Sequence, residues 1–199
     1  MKDLNRRESV VLGLLHAYGK EILRTKLVKM TYLLDNLHFE QVGKTMTGYD
    51  YHWDYYGPNA VGNAIVDTLS KLRTKGLVSD TQKLTSFETF ANYYRVMDVD
   101  PEELELNDSD WLYIHGIVKR YGPMTRQRVV AESKKALPMQ GVNQFDILKF
   151  TSNPNNERLR EAFFEDKDFV RMTTEAMSGC HEKISLDELR AEVTQSAMV

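Results

Sequence analysis

Residues 25–60, "TKLVKMTYLLDNLHFEQVGKTMTGYDYHWDYYGPNA", change hydrophobic period part-way along. In the first half, apolar residues recur every three or four positions, which is typical of one face of an α-helix. That face consists of Leu27, Met30, Leu33, Leu34, Leu37 and Val42, and Lys26, Lys29, Asp35 and Glu40 lie off it. In the second half, aromatic residues alternate with polar ones, namely Tyr49, Tyr51, Trp53 and Tyr55 with Asp50, His52 and Asp54. The segment predicts a helix ending at Gly43, then a strand with one aromatic and one polar face.

The segments on either side predict further helices and a hairpin. "ESVVLGLLHAYGK" (residues 8–20) has an apolar helical stripe and a glycine stop at Gly19. "NAVGNAIVDTLSKLRTKG" (residues 59–76) follows Gly57-Pro58 and predicts a helix from Asn59 to Gly76. Its expected buried side is Val61, Ile65, Leu69 and Leu72. "LVSD" (residues 77–80) and "TSFETFANYYRVMDV" (residues 85–99) then predict a β-hairpin, although Phe87, Phe90 and Tyr94 could also lie on a helix. The order helix, helix, strand, helix, hairpin is typical of a winged helix-turn-helix.

Two more helices complete the predicted main domain. "WLYIHGIVKRYG" (residues 111–122) has Asp108 or Ser109 as its expected N-cap, and "TRQRVVAESKKAL" (residues 125–137) ends before Pro138. We therefore expect a mainly α fold with a small β-hairpin or sheet, an α+β class. A winged-helix-like helical domain is expected to occupy residues 1–150.

A boundary is predicted at "TSNPNN", residues 151–156, which combine polar loop residues with a proline. Residues 157–199 then carry ten acidic and six basic side chains, a net charge of −4, whereas the preceding part is close to +1. Two weakly apolar helices are expected there, and neither has enough apolar surface to form a core alone. We predict that residues 151–199 form an acidic helical C-terminal extension, with Leu186, Leu189 and Val193 as the apolar side of its last helix.

Composition favours an ordinary globular protein of 199 residues with a net charge of −3, which argues against a dedicated nucleic-acid binder. The single cysteine, Cys180, excludes an internal disulfide and fits a reducing compartment. No run of about 18 apolar residues or signal-peptide pattern is present, so a cytoplasmic protein without a membrane segment is expected.

Catalytic and metal-binding motifs are missing from the sequence. The five histidines are scattered, and no glycine-rich phosphate loop or nucleophile turn occurs. Asp50, His52 and Asp54 share one face of the predicted strand and could meet an ion, although a solvated strand face is the simpler interpretation. We expect neither an enzyme nor a cofactor.

The aromatic strand has two further interpretations. Rings on an exposed sheet face can stack nucleic-acid bases, but the segment at residues 48–60 has no Arg or Lys to hold phosphates. This favours a core strand with a partner-facing rim. A DNA-binding alternative would instead use the helix at residues 59–75 and the hairpin, with Lys71, Arg73 and Lys75 on one exposed stripe.

The lysine-bearing helix and the Tyr-Gly-Pro that follows it resemble the Panacea domain of SocA-type antitoxins. The positions that carry the resemblance are Lys26, Leu27, Lys29, Tyr32, Tyr56, Gly57 and Pro58. The later half, "LNDSDWLYIHGIVKRYGPMTRQRVVAESKKALPM" (residues 106–139), is also similar to the family. There the chain departs from a Thr-His-x-x-x-Pro-Trp signature. Ser133, Lys134 and Met139 stand in place of the threonine, histidine and tryptophan, and Pro138 is retained.

The resemblance, over about residues 8–145, implies an antitoxin of a bacterial or phage toxin-antitoxin system. Such a protein would neutralise a toxin encoded nearby by direct binding. The expected partner-binding residues are Tyr55, Tyr56 and Pro58 at the rim, and Leu186, Leu189 and Val193 in the tail. Two alternatives stay open: a winged-helix DNA-binding transcriptional regulator, and a proteolytic adaptor that delivers a toxin to a protease.

Overall fold

The computed structural model describes residues 3–84 and 89–150. Their secondary structure comprises helices α1–α5 and strands β1–β6. The helices are α1 Arg6–Tyr18, α2 Arg24–Val42, α3 Ala64–Thr74, α4 Asp108–Tyr121 and α5 Arg126–Lys135. The strands are β1 Ile22–Leu23, β2 Tyr51–Asp54, β3 Gly57–Ala60, β4 Val78–Leu84, β5 Phe90–Val96 and β6 Ile147–Leu148. This confirms the predicted class, which is mixed α+β and mainly helical.

Helix α2 is central to the described part. It packs against α4, α5 and β3, while α1 packs against α3 and α4. Buried leucines, valines and tyrosines from these elements form one apolar core. A single core of this kind supplies most of the free energy that stabilises a domain against unfolding.

Two small antiparallel sheets flank the helices. In the first, strand order is β1-β5-β4, with Ile22 opposite Tyr94 and Val78 opposite Val96. This β4–β5 pair is the predicted hairpin. In the second, the order is β3-β2-β6, with Tyr51 between Ala60 and Leu148. Strand β6 comes from about 90 residues beyond β2 in the sequence, so the second sheet joins distant parts of the chain.

Helix boundaries follow local capping chemistry. Gly19 and Gly43 end α1 and α2 in the left-handed conformation, with φ of 69° and 80°, as predicted. The predicted cap of α4 was wrong: Asn107 caps it, and Asp110 completes a reciprocal capping box. Asn107 is the N-cap because its Oδ1 accepts a hydrogen bond from the Asp110 backbone N–H at 2.8 Å. In return, the Asp110 carboxylate accepts one from the Asn107 backbone N–H at 2.9 Å.

The predicted helix start at Asn59 was also wrong. Gly57–Ala60 pairs with β2 as strand β3, and a 3₁₀ turn at Val61–Asn63 precedes α3. Gly62 and Asn63 both have positive φ, at 63° and 59°, which interrupts a continuous helix. Val61 therefore leaves the predicted buried side and is 39% exposed.

The polar residues of α2 depart from the expected pattern as well. Lys26, Lys29 and Asp35 are buried, although they lie off the apolar stripe, while Leu37 is only partly buried. The reason is that α2 is covered on more than one side, so its polar residues face other elements instead of water. Burying a charge requires partners, and these partners form the framework of the candidate site.

The predicted C-terminal extension, with its boundary at residues 151–156 and with Leu186, Leu189 and Val193, lies outside the described residues. Within the described ranges, no helix is both long and apolar enough to cross a membrane.

Candidate functional site

Two buried lysines of α2 bind backbone carbonyl groups of neighbouring segments. Lys29 Nζ donates to the Pro58 carbonyl oxygen at 2.5 Å. Lys26 Nζ donates to the carbonyl oxygens of Gly122 and Met124 at 2.6 and 2.8 Å. Hydrogen bonds from a charged ammonium group are stronger than neutral ones, so these contacts fix both segments relative to α2. Lys29 thereby fixes β3, and Lys26 fixes the α4–α5 connection.

A buried carboxyl group on α2 fixes the segment that precedes β2. Asp35 accepts hydrogen bonds from the backbone N–H of Thr47 at 2.8 Å and from the hydroxyl of Tyr51 at 2.7 Å. The hydroxyl of Thr47 also donates to it. Burial raises the pKa of Asp35 to about 6, although these hydrogen bonds oppose the rise. The arrangement anchors both Thr47 and β2 to α2.

The aromatic residues of the second sheet divide into a buried and an exposed set. Tyr49 and Tyr51 are buried, and the Tyr51 ring packs edge-on against Tyr32 at a centroid distance of 5.2 Å. Tyr55 and Tyr56 lie in the turn after β2 and are 70% and 72% exposed. Residues 49–56 therefore have the expected arrangement, with buried tyrosines at the start and exposed tyrosines at the end.

A phenylalanine from the distant C-terminal end of the described chain joins the exposed tyrosines. Phe145 is 55% exposed and packs edge-on against Tyr55, with ring centroids 5.1 Å apart. Its backbone N–H donates to the Trp53 carbonyl at 2.6 Å, and its φ is 75°. A bulky residue rarely adopts positive φ without strain, and such strain tends to occur at functional positions. We call Tyr55, Tyr56 and Phe145 the aromatic surface.

A polar groove begins beside Tyr56. It has a volume of about 550 Å³. Its lining residues come from the first turns of α2, from the β2–β3 hairpin and from the start of α3. They are Arg24, Thr25, Val28, Lys29, Asp54, Tyr56, Asn59, Gly62, Asn63, Val66 and Asp67. Because Lys29 lines it and is almost fully buried, we call it the Lys29 groove.

A comparison with protein families identifies the family of the chain. The family model described as antitoxin SocA-like, Panacea domain, matches residues 27–137. The chain belongs to this family. No curated protein and no solved structure matched the chain. The matched range contains Lys29, the Tyr56-Gly57-Pro58 turn and the Lys29 groove from Val28 to Asp67.

The Panacea domain presents only some of the predicted partner-binding residues. Tyr55 and Tyr56 are exposed, as a partner surface requires, but Pro58 is buried, which corrects its expected position at the rim. Pro58 is buried because it lies in β3, where its carbonyl accepts from Lys29. Leu186, Leu189 and Val193 belong to the residues that the structure does not describe.

Phe145 was not predicted from the sequence. It lies in "GVNQFDILKF" (residues 141–150), where it follows the polar pair Asn143-Gln144. A single apolar loop residue is too common to indicate a site, so the sequence carried no usable signal for Phe145. Its position beside Tyr55 depends on the β2–β6 pairing, which local sequence does not reveal.

The basic residues of the DNA-binding alternative do not form one free stripe in the Panacea domain. Lys71 is exposed on α3. Arg73 pairs with Asp80 at 3.1 Å, and Lys75 pairs with buried Glu8 at 2.9 Å. These carboxylates offset two of the three positive charges that a phosphate backbone would need.

Proposed function

We propose that this chain is an antitoxin that neutralises a protein toxin by direct binding, and that the aromatic surface is its principal contact. Membership of the SocA-like antitoxin family is the observation that carries the proposal. It implies a toxin as partner and favours a role in binding without catalysis. The partner is expected to be encoded near this chain.

The exposed aromatic surface supports the assignment of the contact. Tyr55, Tyr56 and Phe145 present large rings to solvent, and aromatic anchors contribute much of the binding free energy at protein interfaces. The Tyr55–Phe145 ring contact and the Phe145–Trp53 hydrogen bond hold two of the three rings before any partner arrives. A preorganised surface loses less conformational entropy on binding.

A growth-rescue assay tests the proposal. The chain is co-expressed with the product of each neighbouring gene that arrests growth, and the wild-type chain is expected to restore it. The double variant Tyr55→Ala, Phe145→Ala should fail to restore growth at equal protein level. A matched control removes two exposed apolar side chains elsewhere, Leu84→Ala and Phe90→Ala at the end of the β4–β5 hairpin, and should still rescue. Rescue by the aromatic-surface variant, or failure of the wild type with every neighbouring toxic gene, would contradict the proposal.

The two remaining classes predict different results in the same cells. A transcriptional regulator would bind its own promoter and leave an already synthesised toxin active. A proteolytic adaptor would lower the amount of toxin, and its rescue would depend on the protease. Neutralisation by direct binding predicts that toxin persists in a complex and that rescue survives deletion of the protease.

A further inference from the structure

The Lys29 groove contains two positive charges without a carboxylate partner among the described residues. Lys29 Nζ makes one hydrogen bond there, to the neutral Pro58 carbonyl, although an ammonium group has three donors. Arg24 is exposed, and no described carboxylate lies within ion-pair distance of it. The groove can therefore offer donors to an anion.

The two acidic residues of the groove do not neutralise Lys29 directly. Asp54 accepts from the backbone N–H of Tyr55 at 2.7 Å and from the Asn59 side chain at 3.2 Å. Asp67 is exposed in the first turn of α3, where a negative charge interacts favourably with the helix dipole. Both carboxylates thus have local roles. Because these two negative charges offset the two positive charges of Lys29 and Arg24, the groove has no net charge, and an anion must be held there by directed hydrogen bonds.

We propose that the Lys29 groove receives a carboxylate side chain, Asp or Glu, of the toxin. This inference rests on the proposed function, because it names a chemical group on the toxin that antitoxin binding requires. Lys29 and Arg24 supply charged donors. The side-chain amide of Asn63, which makes no capping bond to α3, supplies a neutral donor. Charge-assisted hydrogen bonds of this kind are shorter and stronger than neutral ones.

Tyr56 connects the groove with the aromatic surface. Its side chain belongs to the exposed aromatic set and also lines the groove. A toxin segment that packs on Tyr56 would therefore bring its neighbouring residues to the mouth of the groove. An apolar contact surrounding a desolvated charge pair is a common arrangement at the centre of protein interfaces.

The protonation of Lys29 gives the groove a measurable signature. Burial lowers the pKa of Lys29 to about 8, with Asp54 on β2 opposing this shift and Lys134 on α5 adding to it. Arg24 on α2 and Asp67 on α3 are the other charged groups that line the groove. A bound carboxylate stabilises the ammonium form and must raise the pKa of Lys29 again. By linkage, carboxylate binding weakens as pH rises above 8, by up to about tenfold per pH unit.

Acetate tests the groove in the full chain without any toxin. The pKa of Lys29 is followed by lysine Cε–Nζ NMR correlations in sodium chloride and in sodium acetate of equal ionic strength. The Lys29 signal is assigned with Lys29→Arg, or with Lys29→Met if the arginine variant does not fold. We expect a pKa close to 8 in chloride and a higher pKa in acetate. A pKa near the ordinary value of 10.5 in chloride, or no change in acetate, would overturn the inference.

A second measurement uses the toxin. Arg24→Gln should weaken toxin binding by about threefold or more, which matches the loss of one exposed charge pair. Lys71→Gln removes another exposed positive charge, from α3 and outside the groove, and should leave the affinity unchanged. Equal weakening by both variants would mean that only long-range charge matters, and would overturn the inference.

A chain that binds the toxin but shows no response to acetate refutes the groove and leaves neutralisation standing. A chain that binds acetate but no toxin refutes the proposed function.

Discussion

Asp35→Asn removes a buried carboxyl group that connects α2 to Thr47 and Tyr51. Asp35 has no exposed surface, and its carboxyl accepts three hydrogen bonds. Burial raises its pKa from 3.8 to about 6 in the folded protein. The folded state therefore prefers the protonated carboxyl more strongly than the unfolded state does.

The magnitude follows from proton linkage. A pKa difference of about two units corresponds to about 3 kcal/mol of stability. Because the folded-state pKa is the higher one, this contribution is complete below pH 4 and is lost as the pH rises through 6. The free energy of unfolding of the wild type minus that of Asp35→Asn should therefore fall by about 2–3 kcal/mol between pH 4 and pH 7.

Urea unfolding followed by tryptophan fluorescence, at a series of pH values, measures this difference. Other titrating groups contribute to both proteins and cancel in the subtraction. Asp98→Asn serves as a control, because it removes an exposed carboxylate and leaves Asp35 and its partners in place, so this variant should keep the pH dependence that Asp35 causes. A flat or rising curve for Asp35→Asn would refute the reasoning, because it would show that the three hydrogen bonds outweigh desolvation.

Two further predictions concern packing and backbone conformation. Leu34→Ala should lower the free energy of unfolding by about 2–5 kcal/mol because Leu34 is fully buried, whereas Leu37→Ala should cost clearly less because Leu37 is only partly buried. Chemical denaturation of both variants checks the order, and equal costs would mean that the buried face of α2 is misplaced. Gly57→Ala should destabilise the protein by more than about 1 kcal/mol, since Gly57 has φ of 90° and an added Cβ would lie 3.2 Å from the Lys134 side chain. A melting temperature equal to that of the wild type would contradict this expectation.

Hydrophobic period predicted the described helices and hairpin because it reports which side of each element is buried. It located α1, α2, the strand at residues 51–54 and the β4–β5 hairpin. It failed at Lys26, Lys29 and Asp35, because the hydrophobic period predicts that polar residues off the apolar stripe are exposed, and other elements cover these three. Their burial depends on contacts with Gly122, Pro58 and Thr47, which the sequence pattern of α2 does not contain.

The candidate site shows the same limit. Tyr55 and Tyr56 were predicted from the local Tyr-Tyr-Gly-Pro, since a tyrosine-rich turn after a strand indicates exposure. Phe145 was missed because it reaches Tyr55 only through pairing of β6 with β2. The start of α3 was misplaced because a Gly-Pro-Asn sequence suits both a helix start and a short strand, and pairing with β2 decided between them.

The affinity of the purified full chain for the toxin, with and without the Phe145 ring, tests the central claim most directly. Phe145→Gly is well suited, because glycine accepts the φ of 75° without strain and retains the backbone hydrogen bond to Trp53. Calorimetry should show direct binding by the wild type and an affinity reduced by about 30-fold or more for Phe145→Gly, as for an interface hot spot, with an unchanged melting temperature. Equal affinity of the two proteins for the toxin would contradict the assignment of the aromatic surface, and no binding by the wild type would contradict neutralisation by direct contact.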